Sequence, residues 1–347
     1  MSETYFHRVQ KQTATKFWIN NVTREEADLA IEAGAYGCTQ NPSYTWKMMS
    51  NKAEEEHVKE LLVPILKEES DDTEALVKLQ CALVTDIAQH FMPIYEKTGH
   101  KFGYVSIQGD PFHEDAETII RCARYNTSAL PNLMAKVPVT EEGLKAIRVL
   151  LSEGIAINAT EVMAVRQALD VCDIYNEVCS SMENPPVVYF SHITGIYDQY
   201  LKSYVEKNNV NISPDVLWQA GMAVAKKTYH MAKARSPYVG FIGGGARGLH
   251  HFTEMVGANA VVTINWVGTA ANLIEQDPVV VQRFDMPVSE SVVDELVEKL
   301  PDFEKGYFSS KIKPCEYEDF GPVVLFRSQF ESAWKNALKY IAEFRTK

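Results

Sequence analysis

The sequence lacks the features that would take the protein out of the ordinary globular class. Its 347 residues include six cysteines but no CxxC pair, no low-complexity segment and no obvious repeat. Scattered cysteines favour buried, reduced thiols over disulfides or a zinc site. No apolar run approaches the length of a membrane span, and the first residues lack the apolar core of a signal peptide. We therefore expect a cytoplasmic protein without a metal site or a membrane contact.

The sequence is also short of positive charge. Its formal net charge is -12, which argues against nucleic acid or an anionic membrane as a partner. A local arginine or a helix N-terminus could still hold a small anion. The composition, 46% hydrophobic and 23% charged, is that of a globular protein, and the length suits one large α/β barrel or two smaller domains.

What the sequence does contain is a series of short apolar segments separated by helical patterns. These segments are KFWINN, AYGCTQNPS, FGYVSIQGD, NLMAKVPVT, IAINATE, VVYFSHITG, YVGFIGGG and AVVTINW. Strands that alternate with helices form a parallel sheet. Eight such units predict an α/β fold, a (β/α)₈ TIM barrel over residues 1–266, with a doubly wound open sheet as the alternative.

The pattern changes after residue 266. Residues 267–347 mix short helical patterns with loops and end in a helix whose apolar stripe contains Phe330, Trp334, Leu338 and Ile341. We predict a C-terminal helical extension that packs on the barrel within a single structural domain. The extension could also contribute to the mouth of a site or to a contact in a homo-oligomer.

Polar residues lie at or near the end of every predicted strand, where barrel enzymes carry their active sites. They are Asn20, Thr39 to Asn41, Gln108, Asp110, Lys136, Asn158, Thr160, Ser191, His192, Gly243 to Arg247 and Thr263 to Asn265. One such residue is usually a satisfied hydrogen-bonding group. Several that converge at one rim predict a site.

Lys136 is the most unusual of these residues, because lysine is seldom fully buried. Strand alternation places it on the face opposite Ala135 and Val137, and so inside the barrel. Desolvation lowers the pKa of a lysine and leaves a neutral amine that can attack a carbonyl. The alternative is an ion pair with a rim carboxylate such as Asp110, and the pattern alone does not choose between the two.

Two segments resemble the transaldolase/fructose 6-phosphate aldolase family. AKVPVTEEGLKAIRVLLSEGIAINAT is similar to the family's Schiff-base strand and following helix, and YGCTQNPSY is similar to its Thr-Asn-Pro-Ser turn, with Gln40 in place of a threonine. The resemblance extends, more weakly, over residues 16–266. It implies a TIM barrel and a class I aldol mechanism that needs no cofactor or metal.

The resemblance also implies roles for single residues. Lys136 matches the Schiff-base lysine, and Gln108 and Thr160 match the pair that holds a catalytic water. The residues expected to bind the sugar or sugar phosphate substrate are Asn41, Asn158, Ser191, Gly245 and Arg247.

The sequence departs from the family at two positions. Asn20 stands where the family has an aspartate, and an amide cannot take a proton, so we expect another acid–base group. The candidates are His192, Tyr189 and Asp110, with a structural imidazole as the alternative for His192. Ile196 stands where transaldolases have a phosphate-binding arginine, which leaves Arg247 as the remaining match.

These observations favour a transaldolase that transfers a dihydroxyacetone unit from a ketose through Lys136. An aldolase that releases this unit, from a phosphorylated or a differently substituted ketose, is the first alternative. A different imine-forming lyase and a non-catalytic sugar-binding barrel are the others.

Overall fold

A computed structural model of the protein describes residues 3–346 and shows a closed barrel of eight parallel strands. The strands are β1 (Lys16–Asn20), β2 (Cys38–Gln40), β3 (Val105–Gln108), β4 (Leu133–Pro138), β5 (Ile157–Val162), β6 (Val188–His192), β7 (Gly240–Gly243) and β8 (Val261–Asn265). Each strand pairs with the next, and β8 closes the barrel on β1. The predicted TIM barrel is confirmed, and each of the eight apolar segments contains one strand.

Helices surround the barrel and follow it in the chain. They are α1 (Tyr5–Gln12), α2 (Arg24–Glu32), α3 (Ser43–Met49), α4 (Glu55–Glu68), α5 (Asp72–Lys97), α6 (Ala116–Thr127), α7 (Glu141–Ser152), α8 (Val165–Cys179), α9 (Thr194–Asn208), α10 (Pro214–Leu217), α11 (Ala220–Arg235), α12 (His250–Thr253), α13 (Ala271–Gln276), α14 (Glu290–Lys299), α15 (Pro301–Tyr307) and α16 (Gly321–Arg345). Several begin at a side-chain cap. Thr23, for example, accepts the backbone N–H of Glu26, and Thr140 that of Gly143.

Strand alternation divides the core into two layers, as β4 shows. Leu133, Ala135 and Val137 belong to the large apolar core under the helices. Met134 belongs to a smaller cluster inside the barrel, where it packs with Trp18 and other residues. Lys136 shares the inward face with Met134 and lies nearer the carboxyl end of the strand, as predicted from the sequence.

The chain after β8 forms the predicted helical extension. Its longest helix, α16, packs against α3, α5 and α9 and buries Phe330, Trp334 and Ile341. The division of the chain at residues 266 and 267 into a barrel and an extension stays a prediction.

All six cysteines are free thiols, and five of them are buried, with Cys315 exposed. Among residues 3–346, no helix is both long enough and apolar enough to cross a membrane.

Candidate active site

A polar cleft with a cavity volume of about 180 Å³ opens at the carboxyl ends of the strands. Its walls come from strands on opposite sides of the barrel, from the loop after β7 and from α16. The lining residues are Asn20, Asn21, Thr39, Asn41, Ser43, Lys136, Ser191, Ile193, Gly244 to Arg247, Thr263 to Asn265, Phe326, Gln329 and Phe330. Parallel barrels bring strand ends together at this face, so residues distant in the sequence meet here.

Lys136 lies at the base of this cleft and is only 6% exposed. Burial lowers its pKa to about 8, and the charges of Glu161 and Cys38 offset part of that effect. No described carboxylate lies within ion-pairing distance of its amine, and Asp110 instead pairs with His113 over 2.8 Å. About a tenth of the Lys136 amine is therefore neutral at pH 7, against less than about a thousandth for an ordinary lysine.

Gln108 and Asn158 flank Lys136 on the neighbouring strands, directly opposite it in register. Asn158 is held on both sides, since its amide donates to Ser106 over 3.1 Å and accepts from Ser191 over 2.7 Å. Thr160 follows on the same face of β5. Among the described residues, Gln108 Oε1 and Thr160 Oγ1 have no hydrogen-bond partner although both are buried. Such atoms need a hydrogen-bond partner, and a water or a hydroxyl of a ligand would supply one.

Asn20 lies on the cleft wall within a fixed hydrogen-bond network. Its Nδ2 donates to Asn265 over 2.8 Å, and its Oδ1 accepts the hydroxyl of Thr39 over 2.8 Å. Thr39 also contacts Thr263 over 2.8 Å. The amide is therefore oriented by its neighbours, and it offers hydrogen bonding but no proton transfer.

Asn41 is held in a similar way at the end of β2. Its Oδ1 accepts from Asn21 over 2.9 Å and from the Ser43 hydroxyl over 2.5 Å. These contacts leave the Nδ2 amide of Asn41 to donate to a ligand in the cleft.

The three candidates for an acid–base group do not line the cleft. His192 points to the outer face of β6, where its ring stacks on Phe241 and its Nδ1 contacts Thr194 over 3.1 Å. Burial lowers its pKa to about 3, so the ring stays neutral. Tyr189 packs beside Trp18 inside the barrel. Asp110 is committed to His113. The structure therefore gives no support to the acid–base role predicted for His192.

Arg247 lines the cleft and is tied to two helices. Its Nε donates to Gln199 of α9 over 2.7 Å, and its Nη2 donates to Gln329 of α16 over 3.3 Å. Ile196 lies in the apolar core and does not line the cleft. Arg247 is the sole cation besides Lys136 among the described lining residues.

Glycine allows the loops after β6 and β7 to approach each other closely beside Arg247. A Cβ at Gly195 would lie 2.2 Å from the carbonyl oxygen of Gly245, which no real side chain tolerates. Gly245 itself has a φ of +67°, a left-handed conformation that glycine adopts most readily.

Asp198, His250 and His251 form a group near this loop that has the composition of a metal site. His251 Nδ1 lies 3.2 Å from the backbone N–H groups of both Arg247 and Gly248, which assigns the ring proton to Nε2. That Nε2 lies 2.9 Å from Asp198, to which it donates. The dyad therefore holds the loop that carries Arg247.

Helix α16 closes the cleft over Lys136. The Phe330 ring centroid lies 5.7 Å from Lys136 Nζ, and Phe326 packs on Phe330. The extension thus contributes to the site, one of the roles that the sequence left open.

Sequence reasoning missed two buried carboxyl groups beside Gln108. The amide of Gln108 donates to Glu161 over 3.0 Å and to Glu114 over 3.4 Å. The available signal was a glutamate inside the apolar run of β5. Simple alternation would place this residue on the outer face of the barrel, away from Lys136.

Residues 17–298 match the family model described as Transaldolase/Fructose-6-phosphate aldolase. The chain is 33% identical over 168 residues to a transaldolase of Saccharopolyspora erythraea, covering 46% of this chain and 44% of that protein. It is 32% identical over 169 residues to a transaldolase of Trichodesmium erythraeum, with 46% and 44% covered. The matched segment spans less than half the length of each relative. The family match itself covers most of the present chain, and the chain belongs to the transaldolase/fructose-6-phosphate aldolase family.

Proposed function

We propose that the protein transfers or releases a dihydroxyacetone unit from a ketose through an imine on Lys136. One observation carries this proposal: a lysine that is 6% exposed and has its pKa lowered to about 8 lies at the base of a polar cleft. Burying an amine costs free energy, and proteins tolerate this cost where a neutral amine is needed. The family match makes aldol chemistry the expected use of this amine.

The surrounding residues suit such a reaction. The Lys136 amine attacks the ketose carbonyl to form an iminium. When the C3–C4 bond breaks, the iminium accepts its electron pair and the C4 hydroxyl gives its proton to water, which leaves an aldehyde. The buried, unpartnered oxygens of Gln108 and Thr160 are suited to hold the water that adds to or leaves the imine. Asn20 and Asn41 are suited to bind sugar hydroxyls, because both amides are held rigidly on the cleft wall.

The charge of the cleft favours a ketose that carries a small anionic group, or none, at the end away from its carbonyl. A phosphate dianion is usually held by several donors and more than one cation. Here Arg247 is the single guanidinium among the described lining residues, and the buried Ile196 gives no second one. We infer that an unphosphorylated or a differently substituted ketose is the better donor.

A reductive trapping experiment tests the proposal. Incubation with dihydroxyacetone and sodium borohydride should convert the imine into a stable three-carbon adduct, which peptide mass spectrometry should locate on Lys136. Lys136→Met is the negative control. Absence of an adduct from the wild-type protein, under conditions where a known transaldolase forms one, would refute the proposal.

A ketose panel separates transfer from release. Each ketose is assayed with and without an acceptor aldehyde, and transfer predicts turnover only when the acceptor is present. A non-catalytic sugar-binding barrel predicts no turnover with any ketose and unchanged sugar affinity in Lys136→Met. The lowered pKa of Lys136 argues against that reading, since mere binding needs no neutral amine.

A further inference from the structure

The cleft lacks a group that can exchange a proton at neutral pH apart from Lys136 itself. The described lining residues include neither an aspartate, a glutamate nor a histidine. Asn20 and Gln108 are amides, and His192 faces away from the cleft. Imine formation nevertheless needs a proton for the departing water. Titratable groups do lie behind the lining, where Lys136 and Gln108 also line a smaller pocket with Asp110, His113 and Glu114.

Glu161 lies in that position because of an irregularity in β5. Between Ala159 and Val162 the strand has one residue more than its partner β6, and Glu161 has a φ of +64°. This left-handed conformation is unfavourable for a glutamate and persists only where the surroundings impose it. It turns the carboxyl group inward, so that Oε1 accepts the amide of Gln108 over 3.0 Å.

A buried glutamine holds this turn in place. Gln167 Oε1 accepts the backbone N–H groups of Met163 and Ala164, and its Nε2 donates to the carbonyl oxygens of Glu161 and Val139. Gln167 is itself completely buried. One of these four hydrogen bonds is to Glu161 itself, and the other three tie Gln167 to the backbone that follows Glu161 and to the end of β4.

Glu161 shares the Gln108 amide with a second buried carboxyl group, Glu114. Burial raises the pKa of Glu161 to about 7, against lowering contributions from Gln108, Arg327 and Lys136. Burial also raises the pKa of Glu114, and the charge of Glu161 adds to this. Two neighbouring carboxyl groups of this kind retain at least one proton at neutral pH.

Three further parts of the chain place charged groups around Glu161 and Glu114. Lys136 lies on β4, Glu318 precedes α16, and α16 itself supplies Arg327 and Glu331. Arg327 lies 3.9 Å from Glu114 and covers the pair from outside. Among the described residues, Glu161 Oε2 has no hydrogen-bond partner although it is buried. A free acceptor or donor atom is thus available beside the Gln108 amide.

We propose that Glu161 donates and takes back the proton that formation and hydrolysis of the Lys136 imine require. The amide side chains of Asn20 and Gln108 cannot fill this role. The inference rests on the proposed function. Glu161 would act through water held by Gln108 Oε1 and Thr160 Oγ1, and it is a positioning and proton-supplying residue behind the cleft.

The Lys136 nitrogen adds to the carbonyl carbon, and the carbonyl oxygen gains the proton that the nitrogen loses, which gives a carbinolamine. The C–O bond then breaks as the hydroxyl leaves with the proton from Glu161, so that water and an iminium form and Glu161 becomes a carboxylate. Hydrolysis returns the proton from the attacking water to Glu161.

The test measures the rate of adduct formation with dihydroxyacetone and sodium cyanoborohydride as a function of pH. The wild-type rate should rise with pH as Lys136 loses its proton and fall again as Glu161 loses its own. The pH profile of the rate should therefore be bell-shaped, with its maximum near pH 7 to 8. Glu161→Gln should trap roughly 10²-fold more slowly at pH 7.5 and should lose the falling limb.

Three variants keep the test decisive. Glu114→Gln should retain the falling limb, because Glu161 is still present. Glu206→Gln, an exposed position on α9, should match the wild type. Glu161→Asp should regain part of the rate if the carboxyl group matters rather than the shape of the side chain.

Three results would overturn the inference. One is a rate and a bell-shaped pH profile in Glu161→Gln that both match the wild type. Another is a lower rate with an unchanged pH profile in a Glu161→Gln protein whose circular dichroism and melting temperature match the wild type. The third is loss of the falling limb in Glu114→Gln alone. Any of these with an adduct still on Lys136 would leave the proposed function standing, whereas no adduct in the wild type would refute both.

Discussion

At the scale of single residues, the chemistry of the site depends on one amine kept partly neutral by burial. Lys136 has Phe330 above it and amides beside it, and no described carboxylate pairs with it. A folded-state pKa of about 8 against an ordinary 10.5 means that the unfolded chain binds more protons between these values. Stability contributed by this group therefore rises with pH in that range and is lowest below pH 8.

Lys136→Met should make the protein more stable while abolishing adduct formation. Because the buried cation is replaced by an apolar chain of similar length, the free energy of unfolding at pH 7 should increase by about 1–3 kcal/mol. The gain should shrink towards pH 10, since the wild-type amine is then neutral in the folded state. Urea denaturation at both pH values measures this, with Lys145→Met, an exposed lysine, as the control. A less stable Lys136→Met protein would contradict the burial argument.

At the scale of elements, α16 is part of the site as well as part of the core. It supplies Phe326, Gln329 and Phe330 to the cleft and Arg327 to the buried carboxyl pair. A helix far along the chain thus controls how much water reaches Lys136 at the base of the cleft. The low pKa of Lys136 depends on this cover, because desolvation is its main cause.

Phe330→Ala should therefore raise the pKa of Lys136 towards its ordinary value. Water would reach the amine, and the rising limb of the trapping profile should move to higher pH. The substitution should also cost about 3–5 kcal/mol of stability, as for other buried aromatic truncations. Val324→Ala, an exposed position on the same helix, is the control and should leave the profile unchanged. A profile that stays in place in a folded Phe330→Ala protein would show that α16 does not control the amine.

The sequence predicted elements better than it predicted the details within them. The period of the strands placed Lys136 inside the barrel, because alternation is set by backbone geometry. The same rule fails for Glu161, since one extra residue in β5 reverses its direction. Regular alternation beside Ser191 turns His192 outward, which agrees with the structural imidazole that the sequence left open as its alternative. No sequence pattern reports that Arg247 reaches Gln329, for this contact depends on how the extension folds back.

At the scale of the whole molecule, the distal end of the cleft is assembled from three distant segments. Arg247 follows β7, Gln199 belongs to α9 and Gln329 belongs to α16. Their hydrogen bonds fix one guanidinium in a molecule whose net charge is -12. Discrimination between charged and neutral donors should therefore depend on Arg247. Assembly of several copies of the chain stays a prediction.

Arg247→Met should weaken binding of the phosphorylated end of a ketose without affecting the reaction at its carbonyl group. The KM for a phosphorylated ketose should rise roughly 10-fold or more, because a charge-assisted hydrogen bond is lost. The rate of trapping with dihydroxyacetone should stay within about 2-fold of the wild type, since this short neutral ketone has no distal group to bind. Arg121→Met, an exposed arginine on α6, is the control. An equal loss with both compounds would place Arg247 in the support of the loop instead.

The central claim is that Lys136 forms an imine with a ketose inside the cleft. A crystal structure of the protein after reaction with dihydroxyacetone and borohydride tests it most directly. If Lys136 forms the imine, we expect continuous electron density from Lys136 Nζ to the central carbon of a three-carbon unit, with Asn41 and Ser191 beside its hydroxyls. An unmodified Lys136, or an adduct confined to exposed lysines, would contradict it.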